Sequence, residues 1–205
     1  MNTEVIPTQD PNAISRALSV LQAGGLIAFP TDTVYGLAAA TFSTAAIDKL
    51  YEAKTREATK AIAVLVGDIA QLDLLTSGLT PTAHKLAQRY WPGPLTLVVP
   101  KHPILPANLS AYPTVGVRMP NHAFAIDLLR RVGPLATTSA NRSGGANATT
   151  AAEVLEQLDG RIELLLDGGQ CPGGIPSTVV DCTNEQPVIL RAGEISQEEI
   201  TTLLA

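Results

Sequence analysis

The sequence predicts an α/β protein with a mixed sheet, and three observations lead to this fold class. Short apolar runs, typical of buried strands, recur along the chain. Segments with helically spaced apolar residues, most of them opened by a capping residue, separate these runs. Apolar residues make up 45% of the 205 residues, enough for a sizeable core. Since no repeat, low-complexity tract or linker interrupts the alternation, we expect one domain over residues 1–205.

Capping residues predict where the helices begin. Asp10 and Thr80 are each followed by proline, which is typical of a cap and a first helical turn. The pairs Thr150 with Glu153 and Ser196 with Glu199 have the spacing of a capping box. In chain order, we expect helices to begin near Asp10, Thr44, Asp68, Thr80, Asn121, Thr150 and Ser196.

Apolar runs that end at glycine, proline or polar residues predict the strands. The run at 62–66 is apolar throughout, which is typical of a strand buried on both faces. A Trp-Pro-Gly-Pro turn at 91–94 leads into another run. In chain order, we expect strands at 26–29, 62–66, 95–99, 115–117, 135–138, 162–166, 178–181 and 188–190.

The charge balance limits the class of partner. The formal net charge is −5, whereas a protein that coats nucleic acid is usually basic, so any anion site must be local. The candidate cations for it are Lys54, Arg56, Lys60, Arg118, Arg142 and Arg191. The start lacks a basic-then-apolar leader, and no apolar run reaches membrane-spanning length. We therefore expect a cytoplasmic location and no membrane contact.

The cysteines and histidines give no metal pattern. Cys171 and Cys182 are predicted to be free thiols rather than a disulfide, because the chain lacks a leader. His84, His102 and His122 fit no zinc spacing and are expected at the surface or at helix caps. The sequence predicts no metal held by protein ligands.

Polar and basic clusters follow several predicted strands and helices, where α/β proteins place ligands. After the first strand, Thr31, Thr33 and Tyr35 could offer hydroxyls to a polar substrate or form a capped turn. Lys54, Arg56 and Lys60 suit phosphate, but cations at a helix end also offset its dipole.

Two later strands lead into similar clusters. Arg118 ends a buried strand, where it should meet either a substrate anion or a structural carboxylate. The loop Ser139–Asn141 could bind phosphate as a backbone nest or simply form an Asx turn. The segment 143–150 is expected to be a mobile active-site loop, and Arg191 follows an apolar strand as Arg118 does. Brought together, these clusters would hold a nucleoside triphosphate.

Six ordered motifs resemble the YrdC-like threonylcarbamoyl-AMP synthases over about residues 10–195. They are Pro-Thr-Asp-Thr-Val-Tyr-Gly-Leu, Lys-x-Arg, Val-x-Val-Arg-Met-Pro, Ser-x-Asn-x-Ser-Gly, Pro-Ser-Thr-Val-Val-Asp and Leu-Arg-x-Gly. The resemblance is to the short, single-domain form and implies a twisted mixed sheet flanked by helices, with a concave cleft. The chain departs from the pattern at Ala38, Glu57 and Ala61, which bears on loop shape and affinity.

The resemblance implies a nucleotidyltransferase that makes threonylcarbamoyl-AMP and pyrophosphate from L-threonine, bicarbonate or CO2, and ATP, with Mg2+. A downstream threonylcarbamoyl transferase complex would pass the product to tRNA, and weak tRNA binding is left open. The implied catalytic residues are Lys54, Arg56, Ser139 and Asn141. Those implied near L-threonine are Thr33, Arg118, Thr137 and Ser177. Those implied near ATP are Arg56, Lys60, Thr114, Ser139, Asn147 and Arg191. The alternatives are an RNA-binding module, which the acidic charge disfavours, and a hydrolase or carbamoyl-transfer relative of the same fold.

Overall fold

A computed structural model describes residues 2–55 and 61–204. These residues form ten strands and six α-helices. The strands are β1 (Glu4–Pro7), β2 (Ile27–Phe29), β3 (Gly36–Ala40), β4 (Ala63–Leu65), β5 (Leu95–Pro100), β6 (Thr114–Arg118), β7 (Leu135–Ser139), β8 (Leu164–Asp167), β9 (Thr178–Asp181) and β10 (Val188–Arg191). The helices are α1 (Ala13–Gln22), α2 (Thr44–Lys54), α3 (Pro81–Tyr90), α4 (Ala123–Val132), α5 (Ala151–Leu158) and α6 (Gln197–Leu204).

All ten strands belong to one mixed sheet, in the order β1-β8-β2-β3-β7-β4-β6-β5-β9-β10. The pairs β1–β8, β2–β8, β4–β6 and β5–β9 are parallel. The other neighbouring pairs are antiparallel. The predicted α/β class with a mixed sheet is confirmed.

Helices cover the two faces of the sheet unequally. On one face, α2, α3, α5 and α6 contribute buried apolar side chains to a large core that includes Val64, Leu97 and Val117 from the sheet. On the other face, α1 and α4 form a smaller core with Phe29, Leu135 and their neighbours. The part of this second face that α1 and α4 leave uncovered is the floor of a cleft, described below.

Side-chain caps fix most helix starts near the predicted residues. Thr80 caps α3, and Thr150 with Glu153 forms the predicted capping box of α5. Asp68 caps only a short 3₁₀ helix, Ile69–Leu74. Two predictions are wrong by one residue. Ser43 caps α2 in place of Thr44, and His122 caps α4 in place of Asn121, because their side chains accept the N–H groups of the first turn.

Strands β1 and β3 were not predicted from the sequence. β1 is a largely exposed edge strand that ends in proline, so it lacks an apolar run. β3 reads Gly-Leu-Ala-Ala-Ala, and glycine and alanine have little intrinsic preference for strands. β3 is a strand because it pairs with β2 on one side and with β7 on the other. Long-range pairing, rather than local preference, therefore decides its conformation.

The cap at His122 predicts a pH dependence of stability. Nδ1 accepts the Ala125 N–H at 3.3 Å, and burial lowers the pKa of His122, with the Asp32 charge acting in the opposite direction. Since the unfolded chain then binds the proton more readily, stability should fall as pH drops below about 6.5. Thermal melts between pH 7.5 and 5.5 should show a smaller loss for His122→Asn, which keeps a cap without titrating. An equal loss in both proteins would contradict this role.

Candidate functional site

The uncovered part of the sheet lines a cleft of about 300 Å³. The floor of the cleft is partly apolar, because Ala63, Val98 and Gly116 lie side by side there on neighbouring strands. Polar groups stand around this floor. The predicted site residues that line the cleft are Thr33, Arg118, Thr137, Ser139, Asn147, Ser177 and Arg191. Residues up to 158 positions apart in sequence therefore meet at one site, as the sequence predicted.

Other predicted site residues lie elsewhere. Lys54 and Asn141 are buried next to Ser139 and do not line the cleft. Thr114 begins β6 and lies on the same face as Gly116 and Arg118, but beyond the lining of the cleft. Arg56 and Lys60 lie outside the described residues.

Arg118 is held by three protein groups at once. It forms an ion pair with Asp32 through Nη2 at 2.6 Å, and its side chain is only 7% exposed. Nη1 donates to Thr33 Oγ1 at 3.0 Å, and Nε donates to the Gly93 carbonyl at 3.0 Å. The structural ion pair considered from the sequence is therefore present. Because a guanidinium has five N–H donors, these bonds still leave it able to face a carboxylate in the cleft.

Lys54 organises the loop that follows β7. Its ammonium donates to the carbonyl oxygens of Ser139 and Asn141 and, at 3.2 Å, to Asn141 Oδ1. Asn141 Oδ1 also accepts the Ser139 hydroxyl, and Nδ2 donates to Gly145 O at 2.7 Å. The buried Lys54 ammonium therefore holds this loop in shape from the protein interior, outside the lining of the cleft.

The loop does not form the phosphate nest that we considered from the sequence. The Ala140 N–H donates to Tyr35 O, and the Asn141 N–H to Ser139 O. The Arg142 N–H donates to Gln157 Oε1 at 3.1 Å, and the Ser143 N–H to Lys54 O at 2.9 Å. Since these N–H groups bond within the protein, the loop offers the cleft side-chain oxygens, notably the Ser139 hydroxyl.

Arg191 positions Ser177, and both residues line the cleft. Its guanidinium donates to the Ser177 carbonyl at 2.8 Å and to the Ser177 hydroxyl at 3.2 Å. The Ser177 hydroxyl is also 2.8 Å from Thr96 Oγ1. Gly193 allows this packing, because a Cβ there would come within 2.3 Å of the Thr178 nitrogen. Arg191 therefore fixes Ser177 as well as facing the cleft.

Thr31 and Tyr35 line the cleft, but both hydroxyls donate within the protein. Thr31 Oγ1 donates to Val34 O at 2.6 Å, and Tyr35 Oη donates to Gly169 O at 2.7 Å. The alternative, a capped turn after β2, is the one that the structure supports for these two groups. Thr33 is different, since its hydroxyl meets Arg118 in the wall of the cleft.

The cysteines are free, as predicted; both are buried, and neither lines the cleft. Burial raises the pKa of the Cys171 thiol and raises that of Cys182 to about 12, so neither is a ready nucleophile. Within residues 2–55 and 61–204, no group of three or more His, Cys, Asp or Glu side chains could hold a metal ion. No helix in the same ranges is long and apolar enough to cross a membrane.

Two contributors to the site were missed in the sequence. Asp32 partners Arg118, and the signal was that a buried arginine needs a carboxylate nearby. Thr96 supports Ser177, and the signal was a hydroxyl within the apolar run of β5. Neither partner could be assigned before the strand order was known.

Comparisons with known proteins agree on one family. The Sua5/YciO/YrdC family model, described as "Telomere recombination", matches residues 19–193. The threonylcarbamoyl-AMP synthase of Bacillus subtilis is 42% identical over 205 residues, covering 98% of this chain and 59% of that protein. A Mycobacterium tuberculosis relative is 39% identical over 207 residues, covering 98% of this chain and 95% of its own length.

A solved structure extends the similarity to three dimensions. The crystal structure of Pyrococcus abyssi Sua5 complexed with L-threonine superposes with a TM-score of 0.90 at 41% identity. The match covers 93% of this chain and 56% of that one. This chain thus spans less than three fifths of the length of the Bacillus and Pyrococcus proteins.

Proposed function

Since this chain belongs to the Sua5/YciO/YrdC family, we propose that it is a threonylcarbamoyl-AMP synthase. It would convert L-threonine, CO2 or bicarbonate, and ATP into threonylcarbamoyl-AMP and pyrophosphate. One observation carries the proposal: a single cleft gathers Arg118, Ser139, Ser177 and Arg191 from four strands and their loops. The L-threonine named in the Pyrococcus complex supports an amino-acid substrate.

In this proposal, different residues of the cleft lining bind different parts of the substrates. Arg118 and Thr33 lie together on one side, where a guanidinium and a hydroxyl suit an α-carboxylate. Thr137 and Ser177 add hydroxyls for the same substrate. Ser139, Asn147 and Arg191 also line the cleft and are assigned to ATP. The assignments of Arg56, Lys60 and Thr114 to ATP stay predictions from the sequence.

The proposed chemistry needs positioning rather than a protein nucleophile. The threonine amine adds to CO2 and loses a proton, giving a carbamate. A carbamate oxygen then bonds to the α-phosphorus as the bond to the bridging pyrophosphate oxygen breaks. Cationic and hydroxyl groups that hold the reactants in line and offset charge carry most of the barrier reduction. A dry cleft would also protect the carbamate from water.

Mg2+ is expected to enter with the triphosphate. The described lining of the cleft contains hydroxyl and amide oxygens and no carboxylate. This donor set suits an ion held largely by phosphate oxygens and water, with Ser139 and Asn147 as its protein neighbours. When bound, the ion would neutralise phosphate charge. The transfer of the product to tRNA by a separate complex, and the cytoplasmic location, remain parts of the proposal.

Pyrophosphate release from purified protein tests the function directly. We expect release with ATP, bicarbonate, Mg2+ and L-threonine, and only background release when threonine is omitted. Mass spectrometry should detect threonylcarbamoyl-AMP in the complete reaction only. Release that is the same without threonine would overturn the assignment. Tight tRNA binding with a steep salt dependence and no turnover would instead favour an RNA-binding module.

A further inference from the structure

Tyr35 lies where three segments that border the cleft meet. Its ring is fully buried in the main core. Its N–H donates to Ala148 O at 2.9 Å, and its carbonyl accepts the Ala140 N–H at 2.7 Å. Its hydroxyl donates to Gly169 O at 2.7 Å and accepts the Gly168 N–H at 3.1 Å. One residue thus joins segment 31–36 to the loop at 140–148 through its backbone, and to the loop at 168–177 through its side chain.

The loop at 168–177 lies directly on the backbone of Thr33. The Gly174 N–H donates to Thr33 O at 2.8 Å. At Gly173, an added Cβ would come 2.9 Å from Asp32 O and 3.1 Å from Thr33 Cα, so no larger residue fits this approach. The loop ends at Ser177 in the wall of the cleft. Its position therefore affects both Thr33, which binds Arg118, and Ser177.

The Tyr35 hydroxyl is suited to hold this loop permanently. Burial raises the pKa of Tyr35 to about 12, so the phenol stays neutral and keeps its proton at physiological pH. Its proton is donated to the Gly169 carbonyl, and its oxygen accepts the N–H of the preceding residue, Gly168. Both bonds reach the two glycines with which the loop begins. Such a two-way link restrains backbone that has no side chain of its own to pack.

We propose that Tyr35 is a positioning residue for the amino-acid side of the cleft. Its hydroxyl fixes the start of the loop at 168–177, and the loop in turn fixes Thr33 and Ser177. This inference rests on the proposed function for its kinetic consequences. The hydroxyl does not contact the loop at 140–148, whose links to Tyr35 are backbone bonds. Removing the Tyr35 hydroxyl should therefore weaken the binding of the amino acid more than the binding of ATP.

The test compares Tyr35→Phe with Thr41→Val in the full chain. Phenylalanine keeps the ring and loses only the hydroxyl. Thr41→Val also removes one buried hydroxyl, which donates to Pro134 O at 2.8 Å beyond the far end of β3. We expect Tyr35→Phe to lower kcat/KM for threonine on the order of tenfold, mainly through KM, with KM for ATP unchanged. Thr41→Val should lower stability without changing either constant.

A second variant and a second readout separate this role from general destabilisation. Gly173→Ala leaves the Tyr35 hydroxyl intact but pushes the same loop away from Thr33, so it should also raise KM for threonine. In Tyr35→Phe, amide hydrogen exchange should become faster in a peptide spanning 168–177 and stay unchanged around residues 140–148. Wild-type kinetics or unchanged exchange in Tyr35→Phe would overturn the proposal. Wild-type protein without threonine-dependent turnover would instead overturn the proposed function, and the exchange result would still decide the role of Tyr35.

Discussion

Replacing Arg118 with alanine is expected to abolish most activity and to destabilise the fold. We expect threonine-dependent pyrophosphate release to fall by about a hundredfold or more, on the scale of losing one charged group that binds the reacting substrate. The unfolding free energy should fall by about 3 kcal/mol, because Asp32 is left with its carboxylate 12% exposed and without its cation. Urea unfolding and initial rates measure the two effects separately.

A double variant distinguishes the structural role of Arg118 from its role toward the substrate. Asp32→Asn in the Arg118→Ala background removes the uncompensated carboxylate, so we expect part of the lost stability to return. Activity should not return, because the cation that faces the cleft is still missing. If the double variant recovers both, Arg118 serves only to neutralise Asp32, and its assignment to the threonine carboxylate is wrong.

Arg131→Ala is the matched control for Arg118. Arg131 also pairs with an aspartate, at 2.9 Å, but its side chain is 65% exposed on α4. Exposed pairs of this type contribute about 0.5 kcal/mol or less. Wild-type activity and nearly wild-type stability are therefore expected. A large effect here would mean that the assay reports general damage to the protein.

The sequence predicted the fold well where local signals and long-range contacts agree. The apolar run that became β4 and the capping box of α5 each specify their element locally. β3 could not be found this way, because its glycine and alanines become a strand only between β2 and β7. Its first residue, Gly36, lines the cleft, so the missed strand is part of the site.

In the candidate site, too, local sequence signals predicted some features, and long-range contacts decided the others. The residue types at Arg118, Ser139 and Arg191 indicated an anion site, and the fold brings all three to one cleft. What each group contacts depends on partners remote in sequence. Asp32 reaches Arg118 across 86 positions, and Lys54 reaches Asn141 across 87. Residue type therefore predicts membership of the site, whereas orientation toward substrate or protein is decided by topology.

Lys54 shows most clearly the difference between membership of the site and orientation toward the substrate. The Lys-x-Arg motif suggested a cation for phosphate, but Lys54 is only 1% exposed, and its ammonium binds oxygens of the Ser139–Asn141 loop. We expect Lys54→Met to destabilise the protein by about 2–4 kcal/mol, because buried carbonyl oxygens lose a charged donor. Activity should fall by about a hundredfold, since the Ser139 hydroxyl and the loop around it lose their support.

Two further variants show whether Lys54 acts through its charge or through its fit. Lys49→Met is the control on the same helix, since Lys49 donates to a carbonyl, Gly24 O at 3.0 Å, from an exposed position. It should change stability by about 0.5 kcal/mol or less. Lys54→Arg keeps the charge, but its larger planar head cannot reproduce the compact contact with three oxygens. If Lys54 positions the loop, Lys54→Arg should be nearly as inactive as Lys54→Met. Retained activity in Lys54→Arg would show that charge toward the phosphates, and not the fit within the loop, is what the reaction requires.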